Sequence, residues 1–203
     1  MNEKRTSTIA ICLTALLAFS PLITLAQGAT TFSGEAVALK ANALGVSLAL
    51  ADTGALPSSG GSLSTSLASV NVAGIASADA LSSSTSGSGS SSQSQSTLAD
   101  VNLLNGLVAA TAVKSNSSTT CSGEQASTSG NAQLVGLTVA GQSILVSNPN
   151  LSISLPGGIS VIINQQTSSS GGTSGSITVN ALHVTGPSID IVVASAQSDI
   201  TCS

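Results

Sequence analysis

The chain has 203 residues and a formal net charge of −4, with 41 Ser and 20 Thr but only 6% charged and 1% aromatic side chains. With 41% apolar residues and a mean hydropathy of +0.45, it is too hydrophobic for a solvated disordered chain, which combines low hydrophobicity with high net charge. A core must therefore be built from Ala, Val, Leu and Ile, because Trp and Tyr are absent and Phe32 is the one aromatic beyond the first 25 residues.

Met1 to Thr8 carries Lys4 and Arg5, and Ile9 to Ala26 is apolar with Pro21 interrupting it, before Gln27 and Gly28 open a polar stretch. Basic, apolar and small residues in that order make a secretory signal peptide. Residues 1–26 are expected to be removed, with cleavage fitting best after Ala26 and next best after Gly28. Pro21 and the short apolar run weigh against a retained membrane anchor. The bulky Ile11 before Cys12 weighs against a lipidated cysteine. Removal leaves Lys40 and Lys114 against Glu35, Asp52, Asp79, Asp100, Glu124, Asp190 and Asp199, a balance near −5 without any arginine. Nucleic acid is excluded as a partner, since phosphate contacts need a basic surface. No apolar run after residue 26 is long enough to span a bilayer.

Cys12 leaves with the signal, so Cys121 and Cys202 remain, an even number in an oxidising compartment. One disulfide between them is expected.

Residues 27–203 suit a single all-β extracellular domain. Between Ser33 and Ala51 the apolar positions alternate twice: Val37, Leu39 and Ala41, then Leu44, Val46, Leu48 and Leu50. The change of phase near Asn42 and Ala43 implies a bulge or tight turn. Leu56 to Gly61 (LPSSGG) reads as loop, lying mid-chain without the apolar segment and basic tail of a sorting signal. Leu67 to Leu81 is extended and small. Leu98 to Lys114 repeats that theme; strand is favoured over helix there, with Val101, Leu103, Leu107, Ala109 and Val113 on one face. Between them Ser82 to Thr97 (SSSTSGSGSSSQSQST) has no apolar residue and reads as a Ser-rich flexible loop or hairpin tip.

Leu134 to Val146 supplies one or two more strands. Leu151, Ile153 and Leu155 alternate before Pro156-Gly157-Gly158, and Ile159, Val161 and Ile163 alternate after it. Reversals at Ser168 to Gly175 and Thr185 to Ser188 separate two further strands, Ile177 to Val184 and Ile189 onward. Four strands on short connections make an antiparallel meander. The expected fold is an antiparallel β-sandwich. Self-similarity among SVNVAGIASA (69–78), DVNLLNGLVAA (100–110) and QLVGLTVAG (133–141) makes a β-solenoid the alternative.

DVNLLNGLVAATAV, the NPNLSISLPGGISVIINQQ hairpin, and ITVNALHV followed by DIVVASAQSDITC together resemble the choice-of-anchor P family of bacterial exported proteins. The resemblance spans essentially all of residues 27–203. It implies a secreted or cell-surface domain of unestablished molecular role. That family is named for its varied C-terminal anchoring signals, whereas here Ser203 follows Cys202 with no sorting tail. Release or noncovalent surface association is therefore expected.

Catalytic signatures are sparse. Nucleophilic catalysis needs a nucleophile, a base and a group to orient the base. The single histidine, His183, sits between Leu182 and Val184 in an expected strand and reads as structural. One His, two cysteines expected to pair and scattered carboxylates give no ligand set for zinc or calcium. No cofactor is expected. Asp190 and Asp199 read as solvated carboxylates, and a glycosidase pair would depend on their separation in space. Gly-rich runs such as SGSGSSS lack the Lys and the strand-to-helix context of a phosphate loop. Asn116-Ser117-Ser118 and Asn150-Leu151-Ser152 match the N-glycosylation pattern, informative only in a glycosylating host. The expected role is non-catalytic: a secreted or cell-surface structural or interaction domain, with a cell-wall, polysaccharide or surface-protein partner. A ligand-binding module for polysaccharide or an ordered surface is the alternative, and an extracellular hydrolase a more distant one.

Overall fold

A computed structural model describes residues 28–43, 45–146 and 148–203. The signal peptide assigned to residues 1–26 lies outside them, as does Leu44. Thirteen strands follow one another among the described residues: β1 (Thr31–Ala43), β2 (Val46–Asp52), β3 (Gly61–Val72), β4 (Ala76–Ser88), β5 (Ser91–Leu103), β6 (Val108–Ser122), β7 (Gln125–Val135), β8 (Thr138–Val139), β9 (Gln142–Ser143), β10 (Leu151–Leu155), β11 (Ile159–Gly171), β12 (Ser174–Gly186) and β13 (Ile189–Thr201).

The first sheet has the order β10-β11-β12-β13-β1-β2, and the second runs β3-β4-β5-β6-β8-β9 with β7 also on β6. Every ladder is antiparallel. β13 packs over β5 and β6, β12 over β6 and β7, and β1 over β4 and β5, so the sheets stack as a β-sandwich. A solenoid would stack its coils in parallel, and none of these pairings is parallel. The self-similar segments have another origin. Each covers a reversal at the same end of the second sheet, between β3 and β4, β5 and β6, and β8 and β9, with β8 continuing the line of β7 along β6. Their spacing is the length of an up-and-down strand pair.

β10 to β13 form the expected C-terminal meander, and the phase change after Asn42 is the β1–β2 reversal. The single strand expected over Leu98 to Lys114 is instead two. Asn105 and Gly106, with φ of 57° and 86°, turn the chain between β5 and β6. The turn shifts the phase, so Val108 and Ala110 are buried rather than Ala109, and Leu107 lies in the turn itself.

Ser82 to Thr97 is not a flexible loop. It forms most of the β4–β5 hairpin, reversing at Gly89 and Ser90. Ser83, Thr85, Ser92, Ser94 and Ser96 face inward and are buried. Ser83 and Ser96 hydroxyls pair at 3.0 Å and those of Thr85 and Ser94 at 2.7 Å. Composition alone implies a solvated segment because hydroxyls are polar. Paired across a ladder, they satisfy one another and fill an interior at little desolvation cost.

Interior chemistry is layered along the strands. Ala51, Ala80, Asp100, Asn164 and Ala194 adopt φ between 47° and 52° inside β2, β4, β5, β11 and β13. Each switches which side chains point inward. In β13, Ile191 and Val193 are buried before Ala194, and Ala196, Ser198 and Ile200 after it. On one side of this line lies the main aliphatic core, including Leu39, Leu103, Val108, Val161, Val184 and Val193. On the other side the second sheet presents Ser83, Thr85, Ser92, Ser94, Ser96, Ser115, Ser117 and Thr119. Three of these hydroxyls cross to the first sheet: Ser92 donates to the Ser33 carbonyl at 3.1 Å, Ser94 to that of Gln197, and Ser117 meets Ser198 at 2.7 Å, while those of Ser115 and Thr119 are buried without a partner. Phe32, Leu56, Ile200 and Cys202 close the far end. There Cys121 of β6 and Cys202 after β13 stand at disulfide distance, with Sγ–Sγ 2.12 Å and Cα–Cα 5.7 Å.

Candidate functional site

Strand alternation sends His183 of β12 to the outer face of the first sheet, while its neighbours Leu182 and Val184 fill the core. Its Nδ1 lies 2.9 Å from Gln165 Oε1 on β11, and its Nε2 lies 2.9 Å from Asp190 Oδ1 on β13. Asn180 Nδ2 donates to the same Gln165 oxygen at 2.8 Å. Both ring nitrogens thus have a side-chain partner at 2.9 Å. A general base needs one nitrogen facing the nucleophile it deprotonates. Gln165 and Asn180 reach His183 only through strand register: Gln165 pairs with Asn180, and Ile162 with His183.

Nearby, Glu35, Val37, Lys40, Thr178, Asn180 and Val192 line a shallow cleft of about 220 Å³. Partial burial raises the pKa of Glu35 above its ordinary value; the Asp52 charge and a hydrogen bond that protonated Glu35 donates to the Asp52 carboxylate push the same way, and Lys40 opposes them. Folding therefore favours protonated Glu35. Its contribution to stability is complete below the unfolded-state pKa and is lost as pH rises through the higher folded value. Glu35→Gln is expected to remove that decline and flatten the stability profile above the ordinary glutamate range. Urea unfolding at a series of pH values checks it, and an unchanged slope would refute the assignment.

Asp190 and Asp199 stand nine positions apart on β13, a rise of about 30 Å. Glycosidase carboxyl pairs are within roughly 10 Å, so these two do not form one. Asp190 holds His183, and Asp199 accepts from Gln197 Nε2 at 2.9 Å. Among the described residues no three His, Cys, Asp or Glu side chains converge as a metal site.

The outer face of the second sheet is different in kind. Register aligns Ser64, Ser84, Gln95, Asn116 and Asn131 in one rank across β3, β4, β5, β6 and β7. The next rank is Ser62, Ser86, Gln93, Ser118 and Ser129. Ser66, Ser82, Thr97, Lys114 and Gln133 flank them on one side, and Ser88, Ser91, Thr120 and Ser127 on the other. Lys114 is the one charged side chain in the four ranks. The hydroxyls and amides repeat at about 4.8 Å across the strands and about 6.8 Å along them. Ser84, Ser86, Gln93, Gln95, Asn116, Ser118, Ser129 and Asn131 border an open trough of about 470 Å³.

No family model matches the chain, and no curated protein or solved structure matches it. No helix among the described residues is long and apolar enough to cross a membrane. The trough offers donors and acceptors in equal supply with no fixed charge, which suits a neutral, hydroxyl-rich ligand. A phosphate or carboxylate would find Lys114 alone. A signal for this face was present in Ser92-Gln93-Ser94-Gln95-Ser96, where small side chains alternate with large amides: the serines are buried and the glutamines exposed.

Proposed function

We propose that the protein is a non-catalytic, exported structural or interaction domain that makes its contacts through the outer face of the second sheet. The observation that carries this reading is the set of aligned hydroxyl and amide ranks, uncharged but for Lys114. Export rests on the signal-like residues 1–26, and surface association on the resemblance to exported proteins. The commitment of both His183 nitrogens supports a role without catalysis. A Cys121–Cys202 disulfide suits an oxidising compartment.

The repeat of the ranks favours a second, narrower reading, in which the partner is a neutral polysaccharide or another surface with a periodic array of hydroxyls. Such a face gains by avidity: each hydrogen bond exchanged with water contributes little, and many in register add up. The test is co-sedimentation of residues 27–203 with insoluble cell-wall polysaccharides, together with a glycan array. Gln93→Ala/Gln95→Ala/Asn116→Ala is expected to weaken binding at least about 10-fold by removing three hydrogen bonds, with the unfolding midpoint little changed. Binding unaffected by the triple substitution would move the contact elsewhere. Labelling by a serine-reactive fluorophosphonate that disappears in His183→Ala would overturn the non-catalytic reading itself.

A further inference from the structure

β3 is an edge strand of the second sheet, paired with β4 along one side only. Exposed edges are templates for another chain, and proteins commonly block them with lysine, proline, bulges or brevity. β3 has none of these. Its twelve residues, GSLSTSLASVNV, contain no charged residue and no proline. The β10 edge is five residues long and runs into Pro156. Leu67 on β3 remains 39% exposed.

The sequence of this edge is nearly symmetric about Thr65. Ser64 and Ser66 flank it, then Leu63 and Leu67, then Ser62 and Ala68. An antiparallel pair related by a two-fold axis places residue i opposite residue j of the other copy and residue j opposite residue i. With the axis at Thr65, each Leu63 faces Leu67 of the second copy, and serine faces serine. Cross-strand partners of this kind set register in a sheet. We propose that β3 is a self-pairing edge, joining two copies of the chain into one continuous sheet across a two-fold axis at Thr65. β2, which has the exposed Val46, lies along the same side of the sandwich and would border the junction.

Sedimentation of residues 27–203 over a concentration series tests the proposal. A species of doubled mass is expected, and Leu67→Lys should weaken its formation on the order of 100-fold, since two Leu63–Leu67 contacts are lost per dimer. Thr65→Cys provides a measurement independent of that variant's folding. The new thiols would face one another at the axis, within the Cα range a disulfide tolerates. A reducible covalent dimer should therefore form with Thr65→Cys and not with Asn71→Cys, six positions from the axis. A monomer at every concentration, or equal cross-linking at both positions, would overturn the pairing.

Discussion

Replacing Cys121 and Cys202 together by alanine is expected to lower the unfolding free energy by about 4.5 kcal/mol, the chain-entropy value for the loop of roughly 80 residues that the pair closes. The cross-link joins β6 of the second sheet to the segment after β13 of the first, so it restrains separation of the layers as well as the unfolded chain. It lies in the small apolar group of Phe32, Leu56 and Ile200. Loss of its sulfurs therefore adds a packing term to the entropic one. Denaturant unfolding of the native and alanine forms measures the difference. Mass spectrometry after alkylation without reductant must find no free thiol at Cys121 or Cys202; two alkylated cysteines would remove the premise.

The C-terminal meander was legible because Leu, Ile and Val alternate with Ser and Asn there, and because Pro156-Gly157-Gly158 and Gly186-Pro187 mark the reversals. The cysteine pairing followed from parity once Cys12 was assigned to the signal. Ser82 to Thr97 was not legible by the same rule, since serine occupies both inward and outward positions and leaves no hydrophobic alternation to detect. Size alternation carries the signal instead, as Gln93 and Gln95 between three serines show. The mid-strand changes of phase at Ala80, Asp100 and Ala194 were also hidden: a left-handed residue in a strand is rare outside glycine, and alanine does not announce it. His183 could be read as structural, but its partners Gln165, Asn180 and Asp190 come from strand register. The outer ranks of the second sheet depend on register in the same way.

Gly34→Val is expected to cost at least about 3 kcal/mol, the upper end of overpacking penalties, or to prevent folding. A Cβ at Gly34 would lie 2.5 Å from Thr85 Oγ1 and 3.1 Å from both the Gln197 carbonyl and Ser94 Oγ. Those atoms belong to the hydroxyl bridge between the sheets, so the added carbons would strain the packing and break the Thr85–Ser94 pair, leaving buried hydroxyls without partners. Gly45→Ala is the informative contrast. It has φ of +82° but nothing within 4 Å of its Cβ, so backbone strain alone applies, about 1 to 2 kcal/mol. If urea midpoints rank Gly34→Val no worse than Gly45→Ala, the sheets do not approach closely at the hydroxyl layer. The expected order instead ties the composition to the fold. A sandwich whose layers meet through serine hydroxyls and a glycine backbone has no room there for an aromatic ring, so the scarcity of Phe, Tyr and Trp and the abundance of Ser share one steric cause.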